Sequence, residues 1–184
     1  MPDRILFIDT ETGGIEPQIH SLLSIGLVVW EQSRIIAEKE IFINDGILNV
    51  TSSALSINQI DIDKHIKQSV SPKESVSEIY EFINLYFDNT EKIILGGHNV
   101  NFDKEFLKFF FKKQGEDFNF RFSHRSIDTA SILYFLYFSG IIKEKAISSD
   151  DAFNLFSIEI EKRHSALSDA KATAKLFTVL LGLV

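Results

Sequence analysis

Three short stretches hold the side chains that could do chemistry. Asp9-Thr10-Glu11 follows an unbroken apolar run, Ile5-Leu6-Phe7-Ile8. If that run is a strand, period-two alternation points Asp9 and Glu11 to the same side, about 7 Å apart along the chain. Two carboxylates so placed repel and lose hydration, and a divalent cation compensates both, because hard ions prefer carboxylate oxygens. The plainer reading is a solvated loop opening before Gly13-Gly14. Asp103 lies in Gly97-His98-Asn99-Val100-Asn101-Phe102-Asp103. As an acid in a helix's first turn it would stabilise the positive end of the dipole. It also shares a stripe with Leu107 and Phe110, where a carboxylate needs a buried partner. His164 and Asp169, in His164-Ser165-Ala166-Leu167-Ser168-Asp169, open a final helical stretch with Leu176 and Phe177 below. An imidazole just ahead of a helix can swing towards a substrate and accept a proton near neutral pH, which a metal-committed carboxylate does poorly. His20, His65 and His124 sit in no such pattern and read as surface residues.

The elements that must position these groups follow from the hydrophobic pattern. Residues 5–8 have no polar alternation, as expected of a strand buried on both faces. A second apolar run covers 22–30, Glu31-Gln32-Ser33 reads as a turn, and a third strand lies near 35–43. Three strands in succession predict an antiparallel meander. Ser71-Pro72-Lys73-Glu74 has capping-box spacing with proline at the first helical position, followed by Val76, Ile79, Tyr80, Ile83 and Phe87 at helical spacing. Ile93-Ile94-Leu95 is a further short strand, ended by Gly96-Gly97. Asn101 can cap a helix from 102 to about 113, and Asp128 or Ser126 can cap another through 138. Ser148-Ser149-Asp150 starts a short helix, and 166–181 forms the last. The order predicts one α/β domain, residues 1–184, with a mixed sheet and no linker or repeat.

Composition bounds the function classes. Hydrophobic residues are 45% and charged residues 24%, the balance of a soluble globular domain long enough to bury its own core. No stretch reaches the roughly 18 apolar residues of a membrane span, and the start lacks the pattern of a secretion signal. There are 0 cysteines, which excludes disulfides and thiolate metal sites and fits a cytoplasmic location. The net charge of −7 argues against a tight, non-specific binder of duplex nucleic acid. Two bound divalent ions would move that −7 to about −3, with the change concentrated at the site. Phenylalanine occurs 17 times, mostly at core positions, leaving one or two near the site that could stack on bases.

Taken together, D-x-E on the first strand, H-N-x-x-F-D before a middle helix and H-x-x-x-x-D before the last helix resemble the DEDDh branch of the 3′–5′ exonucleases. That branch includes bacterial proofreading subunits, ribonuclease T and oligoribonuclease. The resemblance runs from Phe7-Ile8-Asp9-Thr10-Glu11-Thr12-Gly13 to Ala166-Leu167-Ser168-Asp169-Ala170, with Ser126-Ile127-Asp128-Thr129 as a further, structural segment. It implies a ribonuclease-H-like exonuclease fold, a mixed five-stranded sheet flanked by helices. It implies that Asp9, Glu11, Asp103 and Asp169 hold two divalent cations, Mg²⁺ or Mn²⁺, and that His164 is the general base for the attacking water. Thr12 and Gly13, with His98 and Asn99, would line the place of the terminal nucleotide. The implied reaction releases nucleoside 5′-monophosphates from single-stranded DNA or RNA 3′ ends, and the implied partner is a second copy or a polymerase, with no membrane. Many relatives carry His-Gly where this chain has Asn58-Gln59, in the segment that helps hold the terminal sugar and base. A catalytically idle binding module would need none of the five residues. A phosphoesterase acting on small substrates suits the carboxylates but less well the H-x-x-x-x-D helix.

Overall fold

In the computed structural model, residues 4–161 and 164–184 are described. The chain opens with β1 (Arg4–Thr12), β2 (Leu22–Glu31) and β3 (Arg34–Phe42), the expected antiparallel meander. Gln32 and Ser33 both take positive φ, 48° and 66°, the twist that a two-residue hairpin requires. Two short helices follow, α1 (Ser52–Asn58) and α2 (Ile62–Gln68), then α3 (Pro72–Tyr86), whose capping box at Ser71 and Glu74 forms as the sequence predicts. Next come β4 (Ile93–Gly97), α4 (Asn101–Lys113), α5 (Phe118–Arg121), β5 (Phe122–Asp128), α6 (Thr129–Phe138), α7 (Ser149–Leu155) and α8 (Ala166–Leu181). β4 joins β1 in parallel and β5 joins β4 in parallel, giving a mixed five-stranded sheet of order β3-β2-β1-β4-β5.

Helices cover both faces of this sheet, which is why β2 reads as a continuous apolar run with no outward polar side. On one face Leu6, Ile8, Ile25 and Leu27 pack against Val76, Ile79 and Ile83 of α3 and Phe106, Leu107 and Phe110 of α4. On the other, Ile5, Phe7, Val28 and Trp30 pack against Ala170, Ala174 and Phe177 of α8. A third cluster binds α6 and α7 to the outer side of α8 through Leu133, Leu136, Phe153, Ala172 and Leu176. None of the helices among the described residues is long and apolar enough to cross a membrane.

Four local expectations change. Asn101 is the first helical residue of α4, not its cap; Val100 takes the cap position without a side-chain bond. The resemblance implies a fifth strand without placing it; β5 falls at Phe122–Asp128, where residues 123–126 break the apolar pattern between Phe122 and Ile127 and pairing with β4 makes the strand. The helices α1 and α2 are seven residues each, too short for periodicity to reveal, and are set by caps at Thr51 and Asp61. His65 is buried rather than exposed; its Nε2 lies 2.9 Å from the carbonyl of Ile43, and its ring meets Phe42 edge-on.

Candidate active site

The alternation of β1 sorts the candidate residues by face. Ile5, Phe7, Asp9 and Glu11 point towards α8, whereas Leu6, Ile8 and Thr10 point towards α4. Asp169 projects from the first turn of α8 to meet Asp9 and Glu11, and one carboxylate oxygen from each of the three lies within 4.8 Å of the others. The N-terminal end of α8 favours this negative charge. Asp169 is buried, and its Oδ2 accepts a hydrogen bond of 3.2 Å from the backbone N–H of His164. That bond closes a tight turn in which His164 adopts a φ of 57°.

Close approach of α8 to the sheet depends on Gly26. A Cβ there would sit 2.2 Å from the carbonyl oxygen of Ala166 and 2.5 Å from the nitrogen of Leu167, so only glycine admits the helix start. Gly26 is the residue directly across from Asp9 in the β1–β2 pair. The signal was present in the sequence, as a lone glycine inside an apolar strand, but spacing alone does not say what approaches it.

Asp103 stands outside the three-acid group. It lies in the first turn of α4 on the opposite face, and there its Oδ1 accepts a hydrogen bond of 2.6 Å from the Thr10 hydroxyl. This is the buried partner that its place on an apolar stripe demanded. Burial pushes its carboxyl from the ordinary 3.8 up to about 7; the Thr10 hydroxyl and nearby backbone N–H groups hold it down, and the charge of Asp128 adds to the rise.

Two cavities adjoin the acids and share Glu11 and Asn58. The larger, about 530 Å³, has Ile15, Ile57 and Phe102 among its lining and is chiefly apolar. Phe102 is 40% exposed at this cavity. The smaller, about 340 Å³, also takes in His164, Glu40 and Ser165. Thr12 lines the larger cavity, but its hydroxyl is engaged with the Gly14 carbonyl at 2.7 Å. Gly13 holds the loop by donating to Ser21 and accepting from Thr51, with the Asn49 carbonyl 2.2 Å from where a Cβ would be. Asn58 is buried and fixed, donating to the Thr12 carbonyl at 3.3 Å and accepting from Ile60 N–H. Gln59 beside it takes φ 53°, the left-handed conformation that glycine adopts without cost.

His98 and Asn99, which the resemblance sets beside the terminal nucleotide, both make hydrogen bonds that order the β4–α4 turn. The His98 ring nitrogens meet the Thr129 hydroxyl at 3.0 Å and the Ile147 carbonyl at 2.7 Å, so the ring ties the β4–α4 turn to α6 and the following loop. Asn99 is exposed at φ 57° and gives its backbone N–H to Asp128. Residues to which the sequence assigned no role are Thr10 and Gly26; Phe102 enters only as the F of H-N-x-x-F-D, and Ile57 only as part of the segment that contains Asn58-Gln59. His20, expected at the surface, lines the larger cavity and packs against Gly14.

Comparison with known proteins agrees with this arrangement. A family profile described as an exonuclease, of the RNase T type, matches residues 6–177. Ribonuclease T of Wigglesworthia glossinidia brevipalpis is 28% identical over 181 residues, which cover 92% of this chain and 80% of that protein. The PolC-type DNA polymerase III of Thermotoga petrophila is 27% identical over 172 residues, covering 92% of this chain but only 11% of the polymerase. Among solved structures, E. coli exonuclease I in complex with a dT13 oligonucleotide superimposes with a TM-score of 0.81 at 17% identity, over 97% of this chain and 41% of that one. The nuclease domain of 3′hExo, a DEDDh family member bound to rAMP, gives 0.79 at 15% identity over 98% and 92%. At these identities the structural likeness establishes the fold.

Proposed function

The chain belongs to the exonuclease family whose profile it matches, and from that premise we propose that it is a DEDDh-type 3′–5′ exonuclease that shortens single-stranded nucleic acids from the 3′ end, releasing nucleoside 5′-monophosphates. The observation that carries this reading is the convergence of Asp9, Glu11 and Asp169 within 4.8 Å beside a cavity walled by Phe102 and Ile57. Three carboxylates this close repel unless cations accompany them, and an all-oxygen donor set fits Mg²⁺ or Mn²⁺. Asp9, Glu11 and Asp169 would hold one such ion, with Asp103 completing the site for a second. Bound there, divalent cations would neutralise the charge that develops on the phosphate and on the departing 3′ oxygen.

The chain's own residues account for the other tasks. The apolar cavity takes the terminal base, with Phe102 offering a ring face for stacking. The Gly13 loop and Asn58 give that cavity a fixed wall, so the terminal nucleotide meets a preformed site. His164 lines the adjoining cavity with Glu11 and removes the proton of the attacking water. Both DNA and RNA ends are within reach of this reading, since one structural neighbour holds a DNA oligonucleotide and another an adenosine monophosphate of the ribo series. The PolC-type relatives contain the matching stretch within a polymerase, and ribonuclease T matches over most of its length. The PolC-type match supports a polymerase context, and a second copy of this chain is the other partner this reading allows.

The test is degradation of 5′-labelled single-stranded DNA and RNA with Mg²⁺, Mn²⁺ or EDTA, beside the Asp9→Ala variant. A ladder shortening from the 3′ end, dependent on metal and lost in the variant, is expected. No cleavage of either polymer by the folded protein, or full activity in Asp9→Ala, would sink the reading.

A further inference from the structure

One row of the sheet links the acids to the element that carries their counterpart. Asp9 of β1 lies directly across from Gly26 of β2, and Gly26 directly across from Glu40 of β3, so the three share a face. The start of α8 is laid over this row. Gly26 provides the clearance for the backbone of Ala166 and Leu167. Glu40 provides the attachment: its Oε1 accepts from the Ser165 hydroxyl at 3.2 Å and from the Leu167 N–H at 3.4 Å.

The second of those bonds fills a vacancy in the helix itself. The first N–H groups of any helix lack internal partners and are ordinarily served by the side chain of the N-cap residue. Here the N-cap, Ser165, makes no such bond, because its hydroxyl donates to Glu40 instead. Glu40 thus caps α8 from another element. His164 precedes that cap and Asp169 follows in the first turn, each bound to the same short segment through the His164 N–H to Asp169 bond and the Asp169 N–H to Ser165 carbonyl bond. Displacement of the segment would move the histidine and the carboxylate together, relative to Asp9 and Glu11.

The geometry points to Glu40 as a positioning residue that fixes the register of His164 and Asp169 against the acids of β1. This rests on the exonuclease reading above. Glu38 supplies a control: it sits on the same strand and pairs with Lys171 of α8 at 3.2 Å, with no hydrogen bond or ion pair to residues 164–169 among the described residues.

The experiment compares Glu40→Ala, Glu40→Gln and Glu38→Ala with the parent protein. Readouts are kcat and KM on a single-stranded oligonucleotide, thermal midpoint, and amide exchange at Leu167 and Ser168. Misplacement of catalytic groups by a fraction of an ångström lowers kcat on the order of tenfold or more, with KM changed less than about twofold. That outcome is expected in Glu40→Ala, with faster exchange at Leu167. Glu40→Gln should recover most of kcat, because its amide oxygen accepts the same two bonds, and Glu38→Ala should retain kcat. The proposal is overturned if Glu40→Ala keeps parental kcat and exchange, if Gln is as impaired as Ala, or if Glu38→Ala loses kcat equally. A parent protein that is itself inactive would refute the exonuclease reading instead, and the exchange measurement still decides whether Glu40 holds the turn.

Discussion

Replacing Asp103 by Asn should make the metal-free protein more stable at alkaline pH while removing a carboxylate from the site. The folded protein holds this carboxyl up to about 7 against an ordinary value of 3.8, chiefly because it is buried. Below about pH 4 both the folded and the unfolded chain carry the proton, so the group costs nothing. Between about 4 and 7 the unfolded chain has released the proton and the folded one retains it; stability is lost as pH rises through that window and stays lost above it. The full interval corresponds to roughly 4 kcal/mol at 1.36 kcal/mol per pH unit, and relaxation around the new charge should reduce this to about 2. For a chain of this size that is a rise in melting temperature of about 4–8 °C for the Asn variant at pH 8. Asn keeps an oxygen to accept the Thr10 hydroxyl, so the packing survives. The assay is thermal unfolding in EDTA at pH 5.5 and pH 8, repeated with Mn²⁺. The advantage of the variant should widen by about 1–2 kcal/mol between the two pH values, and Mn²⁺ should stabilise the parent more than the variant. A gap that does not change with pH would refute the assignment of a destabilising charge to Asp103.

Three other outcomes are expected. His164→Ala should lower kcat by about 10²- to 10⁴-fold, as loss of a proton acceptor does, with Mn²⁺ binding measured by calorimetry unchanged. Gly26→Ala forces a methyl to within 2.2 Å of the Ala166 carbonyl; chemical denaturation should show a loss of about 1–3 kcal/mol, since backbone must shift to admit it. Gln59→Gly should gain about 0.5–1 kcal/mol in the same measurement, because relief of the left-handed strain exceeds the added freedom of the unfolded chain. Its N–H bond to the Leu55 carbonyl is kept, and a loss of stability would show that the Gln59 side chain itself contributes.

What was legible in the sequence divides along physical lines. Long apolar runs and capping residues gave β1 to β4, α3, α4, α6, α7 and α8, because local chemistry suffices for those elements. The position of β5 does not show: four polar residues, 123–126, separate Phe122 from Ile127, and pairing with β4 makes the stretch a strand. The site shows the same division. The pairing of Asp9 with Glu11 follows from strand alternation, and the turn from His164 to Asp169 from helix spacing. The same alternation that aims Asp9 and Glu11 at α8 must aim the intervening Thr10 at α4. Thr10 reads as a spacer within D-x-E and Asp103 as a further ligand; on the α4 side of the sheet the two also answer each other's need, a buried carboxylate and a donor 2.6 Å away. The motif therefore encodes two things at once. Its outer residues face the ion site, and its middle residue supports the acid on the far side, so Thr10→Val should raise the Asp103 pKa further and weaken the site without touching any residue of the three-acid group.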